Sequence, residues 1–298
     1  MKPPSVSPIS SLWLRELNDL ICGSLGGFLF GIPLLYTMEV WWVGSFTKPW
    51  IRLGAISLTY AAVFLFNRTA GFRHYKKSPM SWLDTAMESI EAMAIGFTCA
   101  AYILILLREI NQTTPLTEIL GKLVFEGLPF SLGVALARSF LRGDRDSSIA
   151  DQKTIKSPTS SQTSANFNDT LTDISATLIG ATTVAFSLAP TDEIPMLAAA
   201  TSPIWLIAII ISSLLISYGI VFIAGFINQN KRFQHRGWFE NPLSETLLCY
   251  LVSLIASAIM LWFFQNLTFS DPWNEWLRHV LLLGLPATIG GAAGRLAV

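Results

Sequence analysis

Charge is scarce in this sequence: only 13% of its 298 residues are Asp, Glu, Lys or Arg. A soluble domain carries about 25%. With 52% hydrophobic residues and a mean hydropathy of +0.50, much of the surface must face something other than water. An ordinary soluble enzyme or binding domain is thereby excluded. Cysteine is scarce as well. Cys22, Cys99 and Cys249 each stand alone inside apolar runs, which excludes a disulfide framework and a zinc site. Histidine is limited to His74, His235 and His279, too dispersed for a haem or metal set. No nucleotide-binding glycine loop and no His-Glu-x-x-His helix is present. The sequence therefore predicts no cofactor, no metal and no enzymatic constellation. The basic run from Arg73 to Lys77 reads as a topology determinant, and no nucleic-acid partner is expected.

What the sequence has in abundance is long apolar runs. A helical span needs about 20 mainly apolar residues. Candidates fall at 18–44, 49–67, 84–107, 118–140, 169–190, 203–227, 243–264 and 275–296. The runs are continuous and do not alternate, which argues against strands. The expected fold class is all-α: a polytopic transmembrane bundle of about eight spans, with the lipid bilayer as its principal partner. The first run is longer than a signal-peptide core and is read as a span.

Lys and Arg choose an orientation. Clusters at Arg68, Arg73, Lys76 and Lys77, at Arg142 and Arg145, and at Lys231, Arg232 and Arg236 occupy alternate connections. Basic clusters stay cytoplasmic, which predicts both termini on the cytoplasmic side. Trp41, Trp42, Trp50, Trp273 and Trp276 fall at the opposite ends, where an interfacial aromatic belt is expected. The chain then divides into a cytoplasmic segment at 1–17, a first four-helix unit at 18–142, a polar linker at 143–168 and a second four-helix unit at 169–298. The linker is almost free of apolar residues and rich in Ser and Thr.

The two units resemble each other. Gly127, Leu128, Pro129, Gly133, Ala135 and Arg138 match Gly284, Leu285, Pro286, Gly290, Ala292 and Arg295, each pair 157 positions apart. Gly26, Thr37 and Glu39 match Gly180, Thr191 and Glu193 at an offset of 154, as do Ala70, Gly71 and Phe72 with Ala224, Gly225 and Phe226. This points to an internal repeat with both units in one orientation. Pro129 and Pro286 should kink their helices, freeing the carbonyls of Phe125 and Leu282 for a polar side chain from a neighbour. Gly133 and Gly290 should permit close helix approach.

Intramembrane acids are costly and are functional candidates. Asp84, Glu88 and Glu91 share one face of the third span with Thr98 and Tyr102 further along it. Asp84 completes a capping box with Ser81. Glu88 falls near the interface and Glu91 inside it. Glu126 lies within the fourth span, with Lys122 one turn away as an available counter-ion. Glu39 lies among aromatics at the outer end of the first span. Glu91 and Glu126 are expected to share an interior cavity lined by Thr98 and Tyr102. The matching positions for Glu88, Glu91 and Glu126 in the second unit are read as Cys249, Val252 and Leu283, so a pathway marked by acids would lie mostly in the first unit.

The run from Gly26 to Gly44, and within it Pro33-Leu34-Leu35-Tyr36-Thr37-Met38-Glu39, resembles the opening of a bacterial family of integral membrane proteins known as domain of unknown function 2391. The resemblance implies a prokaryotic multi-pass protein of the inner membrane over nearly the whole chain and implies no activity. Two functional classes follow from the residues. The first is a transporter or channel for protons or small cations using the intramembrane carboxylates. The second is a non-transporting scaffold or a stress or assembly factor whose acids cap helices. A homo-oligomer is compatible with either.

Overall fold

The computed structural model describes residues 8–70, 82–142, 162–223 and 242–297. Every regular element among them is helical. In the N-half these are α1 (Pro8–Leu35), a short α2 (Met38–Phe46), α3 (Pro49–Ala70), α4 (Trp82–Leu106) and α5 (Leu116–Arg142). In the C-half they are α6 (Gln162–Leu188), a short α7 (Glu193–Ala200), α8 (Pro203–Tyr218), α9 (Pro242–Phe263) and α10 (Trp273–Leu296). A π-helical turn at Gly219–Ile223 continues α8. Seven of these helices are long and apolar enough to cross a membrane. The exception among the long ones is α10. Its 24 residues reach about 36 Å, enough to cross. It is diluted by Gly and Ala, and residues Leu281 to Ala292 are all buried, so protein and not lipid surrounds it.

Several element bounds depart from the sequence reading. The apolar run 18–44 is two helices, because the chain breaks at Tyr36 and Thr37. Thr37 is extended, at φ −96° and ψ 100°. Trp41, expected in the interfacial belt, is instead 1% exposed, and its Nε1 donates to the Leu35 carbonyl at 2.7 Å. That bond satisfies one of the carbonyls left open where α1 ends. Trp42, Trp50 and Trp273 are exposed, as a belt requires. α1 starts at Pro8, inside the segment read as an N-terminal extension. α6 starts at Gln162, inside the segment read as linker, whose remainder, 143–161, lies outside the described residues.

Each half is built around its last helix. α5 packs against α1, α2, α3 and α4, and α10 packs against α6, α7, α8 and α9. Small residues allow this. A Cβ on Gly26 of α1 would lie 2.7 Å from the Gly133 carbonyl of α5. A Cβ on Gly290 of α10 would lie 2.6 Å from the Gly180 carbonyl of α6. Neither pair tolerates a side chain, and van der Waals contact between backbones takes its place.

The helix ends correspond as closely. α4 closes with Glu109 N–H and Ile110 N–H donating to the Leu104 carbonyl, and α9 closes with Asn266 N–H and Leu267 N–H donating to Leu261. Arg108 and Gln265 are the two non-glycine residues with positive φ among the described residues, at 66° and 62°. These αL endings terminate the two helices identically. Ser131 Oγ donates to the Gly127 carbonyl and Thr288 Oγ1 to the Gly284 carbonyl, both at 2.6 Å. All of these pairs are 157 residues apart. At that spacing Glu88 corresponds in sequence to Glu245, one turn from the Cys249 read from the sequence.

The halves meet where α1 and the α1–α2 break lie against α10 and the π turn. Tyr36 is fully buried, and its hydroxyl donates to the Leu282 carbonyl at 2.8 Å. Leu282 is the residue one turn before Pro286, whose missing N–H leaves this carbonyl without its helical donor. Met38 N–H, at the start of α2, donates to Glu193 Oε1 of the C-half at 3.3 Å.

Candidate functional site

The acidic groups fall on three kinds of position. Glu126 sits in α5 four residues before Phe130 and seven before Gly133, on the flank that α5 turns toward α1. Its exposure is 0%, and neither carboxyl oxygen has a hydrogen-bond partner among the described residues. A carboxylate so placed costs several kcal/mol or more unless something neutralises it. The Lys122 ammonium does not. Its Nζ lies 2.9 Å from Glu118 Oε1 and 3.0 Å from Glu109 Oε2, so it turns away from Glu126. The pairing of Lys122 with Glu126 expected from their four-residue spacing is thereby corrected. Glu109 belongs to the loop between α4 and α5, and spacing along α5 could not reveal it.

On α4 the buried flank carries Thr85, Glu88, Ser89, Ala92, Gly96 and Cys99. Asn67 of α3 donates to Ser89 Oγ at 3.1 Å, and Ser89 donates to the Thr85 carbonyl at 2.7 Å. Glu88, placed at the interface by sequence, is thus in protein interior at 4% exposure. Glu91 is half-buried on the adjoining flank. Thr98 is exposed and donates to the Ala94 carbonyl of its own helix. Tyr102 is 44% exposed and shares a 2.5 Å hydrogen bond with Ser212 of α8. The face expected to line a cavity with Glu126 is therefore the outer flank of α4, and Tyr102 ties the two halves together there. Glu39 is exposed, while its counterpart Glu193 is buried against α2.

A second charged centre was missed by the sequence reading. Arg295, near the end of α10, has a side chain 1% exposed. It pairs with Glu245 of α9 and lies 3.7 Å from Asp173 of α6. Its guanidinium also lies 5.8 Å from the centre of the Phe222 ring in the π turn. One cation thus joins four elements at the end that carries the basic connections. The signal was present: Asp19, Glu88 and Arg138 stand at the corresponding offsets in the N-half. The Arg138 side chain lies outside the described residues.

No three His, Cys, Asp or Glu residues converge to hold a metal ion among the described residues.

The family model described as "Putative integral membrane protein (DUF2391)" matches residues 19–298. The chain belongs to this family. No curated protein and no solved structure matches it. The match spans both halves, from Asp19 at the start of the first span to the end of α10, so the DUF2391 unit is the whole bundle and not one half of it. The segment that joins the halves at Tyr36 and Met38 is the same string on which the family resemblance rests.

Proposed function

We propose that this DUF2391 protein moves protons or small cations across a prokaryotic inner membrane, with Glu126 as the residue that carries the charge. The observation behind this reading is the 0% exposure of Glu126 together with its lack of a hydrogen-bond partner among the described residues. A structural acid is normally paired or hydrogen-bonded. An acid retained in the interior without such a partner points to a ligand that comes and goes.

The bundle is read as an internal repeat of four spans, with α10 as the eighth crossing and both termini cytoplasmic. The hydrogen bonds, αL endings and glycine contacts at fixed offsets support the repeat. The basic clusters at one end support the orientation. At the 157-residue spacing Glu126 is not shared, and its counterpart Leu283 is fully buried.

A scaffold role is the second reading. It is favoured by Lys122 and Arg295, which engage Glu109, Glu118, Glu245 and Asp173 in tying helix ends together. Reconstitution separates the two. Proteoliposomes should show a proton or alkali-cation flux above that of empty liposomes when a panel of ion and pH gradients is imposed. A flux equal to the empty-liposome background across the panel contradicts transport and leaves the scaffold.

A further inference from the structure

We propose that the Glu126 site takes a proton and excludes metal cations, and that Lys122 is the residue that excludes them. This rests on the reading of Glu126 as a working acid. Glu118, Lys122 and Glu126 follow one another at four-residue spacing, so they climb one flank of α5 at about 6 Å per step. One turn before Glu126, Lys122 Nζ donates to Glu118 Oε1 at 2.9 Å, to Glu109 Oε2 at 3.0 Å and to the Glu109 carbonyl at 3.1 Å. All three ammonium hydrogens are thereby accepted. The side chain is only 8% exposed, so this is a seated cation and not a surface pair.

The two carboxylates that would gather an incoming metal ion therefore already hold a tethered positive charge. A metal ion would have to displace it. Beyond it, Glu126 offers one carboxyl group. Mg²⁺ requires about six oxygens and Ca²⁺ about six to eight, and no cluster of acids converges there among the described residues. A proton requires one oxygen. The step is the formation of an O–H bond on a Glu126 oxygen and its later cleavage, with the proton passing to water. No electrons move and no co-reactant is consumed. In the C-half His279 stands where Lys122 would be and Leu283 where Glu126 would be, so this pairing of residues is absent there.

The test is labelling of Glu126 by the lipid-soluble reagent dicyclohexylcarbodiimide, with the full chain in lipid nanodiscs and the adduct read by mass spectrometry. Only a protonated carboxyl adds its O–H across the reagent's C=N bond. In the wild-type chain, labelling should slow as pH rises and be unchanged by sodium, potassium or magnesium at constant ionic strength. Lys122→Gln removes the tethered cation from Glu109 and Glu118, and sodium should then slow labelling about tenfold, equivalent to about 1.4 kcal/mol of competition. Lys122→Arg should remain insensitive. Protection of wild-type Glu126 by any of these metals overturns the proton assignment. Continued insensitivity of a folded Lys122→Gln chain overturns the role of Lys122. The wild-type measurement decides the first point even where the variant does not assemble. Absence of any Glu126 adduct at every pH, with the detergent-denatured chain labelled at Glu126, refutes the working-acid reading itself.

Discussion

Replacing Tyr36 by Phe should destabilise the bundle, and the loss should vanish when Pro286 is also replaced by Ala. The hydroxyl of Tyr36 donates to the Leu282 carbonyl at 2.8 Å in a fully buried setting. Pro286 has no N–H to give that carbonyl. Removing the hydroxyl leaves a buried acceptor without a donor, which costs about 1–3 kcal/mol in protein interiors. Measured side-chain bonds between membrane helices average about 0.6 and reach about 1.7 kcal/mol. Because the Leu282 carbonyl has lost its helical donor, Tyr36→Phe is expected near the upper membrane figure, about 1.5 kcal/mol. In a Pro286→Ala background the Ala N–H restores the helical bond, and Tyr36→Phe should cost about 0.5 kcal/mol or less. The coupling energy of the cycle is then about 1 kcal/mol. Reversible unfolding of the four proteins in mixed micelles gives each value. An equal cost of Tyr36→Phe in both backgrounds refutes the argument that this tyrosine serves the proline-freed carbonyl.

Three further outcomes follow from the geometry. Arg295→Met leaves Glu245 and Asp173 facing each other without their cation and should cost about 3 kcal/mol; partial recovery by adding Glu245→Gln, measured by the same unfolding, separates charge from lost packing. Gly290→Leu places a side chain against the Gly180 carbonyl, which would lie 2.6 Å from its Cβ, and should abolish assembly of the C-half as judged by protease resistance, while Ile255→Leu on an exposed flank does not. The third outcome concerns Asp271, in the loop before α10, whose carboxyl is held below its ordinary value by bonds from Thr268 N–H and Thr268 Oγ1–H, with His279 a smaller influence. A depressed folded value means that the loop's stabilisation is present above the unfolded pKa of about 3.9 and is lost as pH falls through the lower folded value. Hydrogen exchange at the start of α10 should accelerate only in that acidic window, and Asp271→Asn should remove the acceleration.

The membrane class, the all-helical fold and the family were legible in the sequence because run length and scarcity of charge are enforced by the bilayer itself. Boundaries were less so. The break at Tyr36 and Thr37 is invisible to hydropathy, since both sides of it are apolar, and it depends on Glu193, more than 150 residues away. The face of α4 was misread for a related reason. In a bilayer, lipid and protein interior are equally apolar, so periodicity finds the stripes of Glu88 and Glu91 without revealing which one faces protein. The structure turns Glu88 inward and Thr98 outward. Glu126 was found because a lone acid deep in an apolar run stands out against any register. The competitor for its counter-ion, Glu109, could not be found, because a loop residue reaches Lys122 only after α4 and α5 have packed.

The most direct test of the account compares Glu126→Gln with Glu91→Gln in proteoliposomes under an imposed pH gradient. Glu→Gln keeps the side chain's shape and removes its ability to exchange a proton. Glu126 is fully buried and Glu91 half-buried at the edge of the outer flank of α4. The account predicts that Glu126→Gln falls to the empty-liposome flux while Glu91→Gln retains that of the wild type. Unchanged flux in Glu126→Gln, with folded protein present in equal amount, would contradict the assignment of Glu126 as the charge carrier.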